Sequence, residues 1–242
     1  MSRLKLIAAS VLLLSATACS SSPPSDQPEA VSYEIVLENT STMDALDTSA
    51  GKADIVLAPG VWALLTSGTL FEAGGSASTS LEALAEDGNN GPFLSDLKGL
   101  DHIDQSEILG ASHGTSYDDA PILPGDVVTV RIDALSDQRF GLAAMFAHSN
   151  DIMIALPPEG IALDRELDST TDVTAELAYW DVGTEQNEEP AVGANQPGKQ
   201  SEAGAGDVES GTITKLDKNE DAAGFAYPAI ADFARLTLKR VK

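Results

Sequence analysis

Cysteine is nearly missing from this sequence: Cys19 is the only one in 242 residues. With no second thiol, no internal disulfide can form, and C-x-x-C redox chemistry and paired-cysteine zinc sites are excluded. Histidine is almost as scarce. His102, His113 and His148 make up the whole set, and none is one helical turn from another. Isolated histidines of this kind read as hydrogen-bonded structural or surface residues. The Walker A, G-x-G-x-x-G and H-E-x-x-H strings are also missing, so nothing marks a phosphate cradle, a dinucleotide fold or a helical zinc protease. Positive charge is in short supply: 14 Lys and Arg face 38 Asp and Glu, for a formal charge of −24. Such a surface repels nucleic acid phosphates and anionic lipid and favours divalent cations, so no nucleic acid partner is expected. Most of this acidity is read as hydration of the surface. No stretch approaches the ~18 consecutive apolar residues of a membrane-spanning helix.

What is present begins with an export signal. Arg3 and Lys5 precede an apolar run over 6–14, which is followed by Ser15-Ala16-Thr17-Ala18 and then Cys19. A basic start, a short apolar centre and small residues before the cleavage point make 1–18 a signal peptide. A small residue directly before the single cysteine resembles the bacterial lipobox, although Ala16 stands where leucine is usual. That resemblance implies lipid attachment at Cys19 and membrane association through the lipid anchor only. The alternative is ordinary cleavage after Ala18, leaving a free thiol. Residues 19–30, including Ser20-Ser21-Ser22-Pro23-Pro24, have almost nothing apolar to bury and read as a lipidated flexible tether. Serine rather than aspartate after the cysteine resembles outer-membrane sorting. The expected location is therefore the cell envelope, as an exported outer-membrane lipoprotein. Without Arg3 and Lys5 the exported part keeps 12 basic residues against 38 acidic ones, a formal charge of −26.

Residues 31–242 read as one all-β domain. Strand patterns, alternating or continuously apolar, occur at 31–37, 53–57, 61–65, 126–132, 140–146, 152–156, 175–180 and 233–241, with Pro, Gly and Asp at the turns. The continuous run 140–146 predicts a central strand. Short strands with such turns predict an antiparallel β-sandwich. Two short helices are expected, around 80–85 and 93–97, inside an insertion spanning 72–124. Residues 184–210, rich in Glu, Gly, Asn, Gln and Pro, read as an extended surface loop within the domain.

The residues able to carry chemistry are carboxylates. Asp217-Lys218-Asn219-Glu220-Asp221 starts like an EF-hand loop, but Ala222 and Pro228 stand where that loop needs Gly and Glu, so it reads as a solvated acidic turn. The region 146–196 is more informative. Asp151 is expected to end one strand and open a turn, Asp181 follows the apolar Tyr179-Trp180, and Gly183 lets the chain curl back towards Glu185. Carboxylates gathered at a sandwich end repel one another unless a cation joins them. Ca²⁺ suits such a place, taking about 6–8 oxygens at roughly 2.3–2.6 Å with loose geometry. No soft ligand is available for zinc or copper. From the residues alone, three unrelated surface acids remain the competing reading.

Asn150-Asp151 after an apolar strand, followed by Trp180-Asp181-Val182-Gly183-Thr184-Glu185, resembles the spondin domain, the N-terminal module of F-spondins and mindin. Leu57-Ala58-Pro59-Gly60-Val61-Trp62 and the strands at 140–148 and 235–240 support it, and the resemblance spans 31–242. It implies a C2-like antiparallel β-sandwich with one Ca²⁺ at an end. Asp151 matches the first acidic ligand, Asp181 the second, and Glu185 the third, where the family has Asp. The backbone carbonyl ligand falls on Leu177. Ile152 departs from the family's tryptophan, and the animal disulfides are absent. The expected function is non-enzymatic: a calcium-binding cell-surface adhesion or binding module whose partner is a surface protein or polysaccharide. The alternatives are a structural envelope lipoprotein without a soluble ligand, and a hydrolase that uses the same carboxylates and a bound water.

Overall fold

The computed structural model describes residues 30–110, 120–163 and 170–241. The segment read as a signal peptide, Cys19, nearly all of the segment read as a tether, and His113 lie outside the described residues. The strands in chain order are β1 (Val31–Asn39), β2 (Leu46–Thr48), β3 (Gly51–Ala53), β4 (Gly60–Leu65), β5 (Ile103–Leu109), β6 (Val127–Ala134), β7 (Arg139–Met145), β8 (Ile152–Ala155), β9 (Ile161–Ala162), β10 (Thr171–Asp172), β11 (Ala178–Asp181), β12 (Thr214–Lys215) and β13 (Ala234–Val241). Two short helices, α1 (Thr79–Asp87) and α2 (Asn90–Leu97), lie between β4 and β5. All strand pairs are antiparallel. The architecture is the all-β sandwich that the strand spacing predicts.

Patterning decides which strand goes where. β1 alternates strictly, burying Tyr33, Ile35, Leu37 and Asn39, and β13 buries Ala234, Leu236 and Leu238. They pair at the centre of a four-stranded sheet ordered β10-β13-β1-β6, with one face on the core and one in solvent. The second sheet runs β12-β11-β8-β7-β4-β5, with β9 added to β7. Its middle strands are buried on both sides: every residue of β4 and β8, and all of β7 after Arg139. The two faces have different cores. Trp62, Leu64, Phe140, Leu142, Ile152, Ile154 and Tyr179 face the first sheet. Val61, Ala63, Leu65, Ala143, Met153, Ala155 and Trp180 meet Leu81, Leu84, Phe93 and Leu97 of the helices. The helices make the outer faces of β4 and β8 a second interior, which explains runs that are apolar at every position.

Within the expected insertion the sequence missed β5. Only Ser106 and Leu109 of that strand are buried, because it is an edge strand whose polar side chains reach solvent. Residues 53–57 form no continuous strand; Ala53 ends β3, and Leu57 makes isolated bridges to Ile122 and Phe146. Part of 175–180 is a 3₁₀ turn (Thr174–Glu176) that leads into β11. α1 begins where Ser78 Oγ accepts the Leu81 N–H and ends at Gly88, whose φ of 65° lets its N–H return to Leu84 O.

Candidate functional site

The β8–β11 register builds one end of the sandwich. Asp181 pairs with Ile152, and the Val182 N–H donates to Asp151 O at 3.3 Å. This places Asp151 immediately before β8, at the close of the 146–151 turn. It does not end a strand; β7 already stops at Met145. The turn is held by Ser149, whose Oγ donates to Phe146 O at 2.7 Å and accepts the Ile152 N–H. After Asp181 the chain reverses at Gly183, with φ of +70°; a Cβ there would lie 2.7 Å from Thr212 N. The reversal returns two amides to one carboxylate oxygen. Asp151 Oδ2 accepts from Thr184 N at 2.7 Å, from Glu185 N at 3.0 Å and from Thr184 Oγ1 at 3.3 Å. Asp151 is completely buried, and its other oxygen, Oδ1, has no hydrogen-bond partner.

Of the neighbouring acids, Asp181 is half-buried and Glu185 buried. Asp181 accepts from Gly183 N and Asn187 Nδ2 at 2.8 and 2.7 Å. Glu185 is 2% exposed; its Oε1 accepts from Gly206 N at 2.9 Å. Asn150 braces the loop, accepting from Glu188 N and donating to Glu188 Oε2 at 3.3 Å. Burial, reinforced by the Asp181 charge, pushes the Asp151 carboxyl up to about 7. Burial likewise raises Asp181 and Glu185, against the hydrogen bonds they accept. None of these acids has an ion-pair partner among the described residues. Asp151 and Asp181 are thus drawn together with no countercharge among the described residues, an arrangement that opposes ionisation of both.

Leu177 is not brought to this group. It precedes β11, and the four residues of extended chain to Asp181 amount to roughly 13 Å of rise. Among the described residues no three His, Cys, Asp or Glu side chains already stand in a metal-holding arrangement. The donor chemistry nevertheless fits a hard cation: oxygen ligands only, one of them buried and unpartnered, and among the described residues no lysine or arginine pairs with them.

Sequence reading missed Glu86, in the last turn of α1. It is 5% exposed, and burial, with the Glu185, Glu82 and Asp151 charges, pushes its carboxyl up to about 7. Asp87 beside it accepts from Gln200 Nε2 at 2.8 Å and Gly204 N at 3.2 Å. The 184–210 loop is therefore latched by carboxylates onto its own backbone and onto α1.

The other candidates separate from this group. His148 packs edge-on against Phe146 at 5.7 Å, with its Nε2 buried and without a hydrogen-bond partner; burial lowers its pKa. His102 Nε2 lies 3.2 Å from Thr69 O. In the acidic turn, Asp221 is saturated by Ala223 N, Phe225 N and the Tyr227 hydroxyl. The sequence also contains Gly110-Ala111-Ser112-His113-Gly114, a G-x-S-x-G string. Residues 111–114 lie outside the described residues. The strands on either side, β5 and β6, differ from the strand and helix that a nucleophile elbow joins.

Comparison with known proteins adds no relative: no protein-family model and no curated protein matches the sequence.

Proposed function

We propose that this chain is a calcium-binding, non-enzymatic adhesion or binding module of spondin-like type, displayed on the cell envelope by a lipid at Cys19. The observation that carries the reading is Asp151: a fully buried carboxylate with one oxygen unpartnered, beside Asp181 and near Glu185, with no cationic side chain among its partners. Ca²⁺ bound there would neutralise the group and tie the 146–151 turn to the 181–185 reversal. The motif resemblance of Asp151, Asp181 and Glu185 supports the same assignment. The ligand gripped by the loaded domain would be a surface protein or a polysaccharide. The reading is tested by a calcium-selective rise in unfolding midpoint that Asp181→Ala lacks.

Anchoring has a separate test. Cys19→Ser is expected to move the protein from the membrane fraction to the soluble fraction, since one residue carries the whole lipid attachment. Persistent membrane association of that variant would remove the lipoprotein assignment without touching the calcium site.

A further inference from the structure

A cavity of about 590 Å³ is walled by α1, α2, the 69–78 segment and Ile213, a size within the roughly 300–1,000 Å³ range of small-molecule sites. Its floor is apolar: Leu70, Phe71, Leu81, Phe93, Leu97 and Ile213 line it, and all six are buried. Backbone bonds fix the walls. The Leu70 N–H donates to Pro158 O at 2.6 Å, and Ile213 exchanges two bonds of 2.8 Å with Gly74 and Gly75. Phe71 is held by Trp180, edge-on at 5.1 Å. Leu100, one of the few exposed large apolar side chains, also lines the cavity.

The polar groups around this floor favour one sign of charge. Glu72 and Asp96 supply carboxylates, and no Lys or Arg is among the described lining residues. Lys98, beside Leu97 in the chain, turns to Glu107 at 3.6 Å instead. His102 Nε2 lies 3.2 Å from Thr69 O, so the neutral ring carries its hydrogen there and keeps Nδ1 as an acceptor. An apolar floor selects an apolar body, while carboxylates and a ring acceptor select a positively charged donor end and oppose an anionic one. We propose that this cavity binds an organic ammonium ion with an apolar ring body. None of Asp151, Asp181 and Glu185 lines it, so the inference stands apart from the calcium reading.

The probes are tryptamine, tryptophol and indole-3-propionate, which share one ring body and end in an ammonium, a hydroxyl and a carboxylate. Each is titrated calorimetrically into the full chain at about 0.15 M salt, where loose attraction to an acidic surface is screened beyond ~8 Å. Tryptamine is expected to bind saturably, roughly fivefold more tightly than tryptophol, the scale of one exposed charge pair. Indole-3-propionate is expected not to bind. Ser95→Trp, at an exposed lining position, fills the cavity and is expected to abolish binding at an unchanged unfolding midpoint. Glu72→Gln combined with Asp96→Asn is expected to keep the site and equalise tryptamine and tryptophol. No saturable binding of tryptamine, or wild-type binding by Ser95→Trp, would overturn the site. Equal binding of all three probes by wild type would overturn the ammonium assignment, as would an undiminished preference for tryptamine in the double variant. If Ser95→Trp lowers the midpoint, the double variant decides, since its two exposed side chains keep their shape.

Discussion

Alanine at Phe146 is expected to cost about 3–5 kcal/mol of unfolding free energy, the range for emptying a fully buried aromatic site. The ring is 0% exposed and is the hub of the core, with His148, Tyr179, Tyr227 and Phe233 at centroid distances of 5.7, 5.6, 5.8 and 6.0 Å. Tyr179, Tyr227 and Phe233 are themselves buried and come from parts of the chain distant in sequence from Phe146, so none can collapse into the space without moving its own backbone. Phe146 also starts the turn to Asp151, since its carbonyl accepts both Ser149 N and Ser149 Oγ. Urea unfolding should show a lower midpoint at unchanged slope. A loss below about 1 kcal/mol, small for a core position, would mean that the aromatic cluster is not packed as described.

Asn in place of Asp151 is expected to act in opposite directions on the empty and the loaded protein. In the calcium-free chain the Asp151 carboxyl lies at about 7 against an ordinary 3.8, and Glu86 at about 7 against 4.5. Folding therefore takes up protons between those values. The folded state binds more protons than the unfolded state there, so stability falls as pH rises from about 4 to about 7 and levels off beyond it. Above pH 7 the folded chain holds Asp151 as a buried, partly unsatisfied anion. Asn keeps an oxygen for Thr184 N and Glu185 N and carries no charge. At pH 8 Asp151→Asn should raise calcium-free stability by about 1–3 kcal/mol, the scale of an unsatisfied buried polar group, and flatten the pH slope. It should also lose the calcium response. A variant less stable than wild type at pH 8 that still responded to calcium would refute the role given to Asp151.

The sandwich was legible because its strands obey simple patterning. β1 and β13 alternate, β7 is a continuous apolar run, and helices appeared where helix formers precede Gly88. β5 was hidden because an edge strand with Asp104, Gln105 and Glu107 outward has no apolar alternation to show. The acids of the site were legible as Asp-x-Gly-Thr-Glu after a strand, since a glycine reversal can return its amides only to a nearby acceptor. Leu177, which the resemblance supplied as a carbonyl ligand, stands at the opposite end of the extended β11 from Asp181. Glu86 was invisible for a different reason. A glutamate two residues before a helix-ending glycine looks solvated, and only the returning loop at 184–206 buries it.

The most direct test of the account is thermal unfolding of the full chain, stripped with EDTA and titrated separately with Ca²⁺ and Mg²⁺, beside Asp181→Ala. At a hundredfold excess over its dissociation constant, a single bound ion adds about 2.7 kcal/mol, or roughly 5–10 °C for a chain of this size. The account predicts a saturable rise of that order with Ca²⁺, little with Mg²⁺, and none in Asp181→Ala. An equal, shallow, unsaturable rise with both ions, shared by Asp181→Ala, would show only screening of a strongly acidic surface, of formal charge −24 over the full sequence, and would contradict the calcium centre.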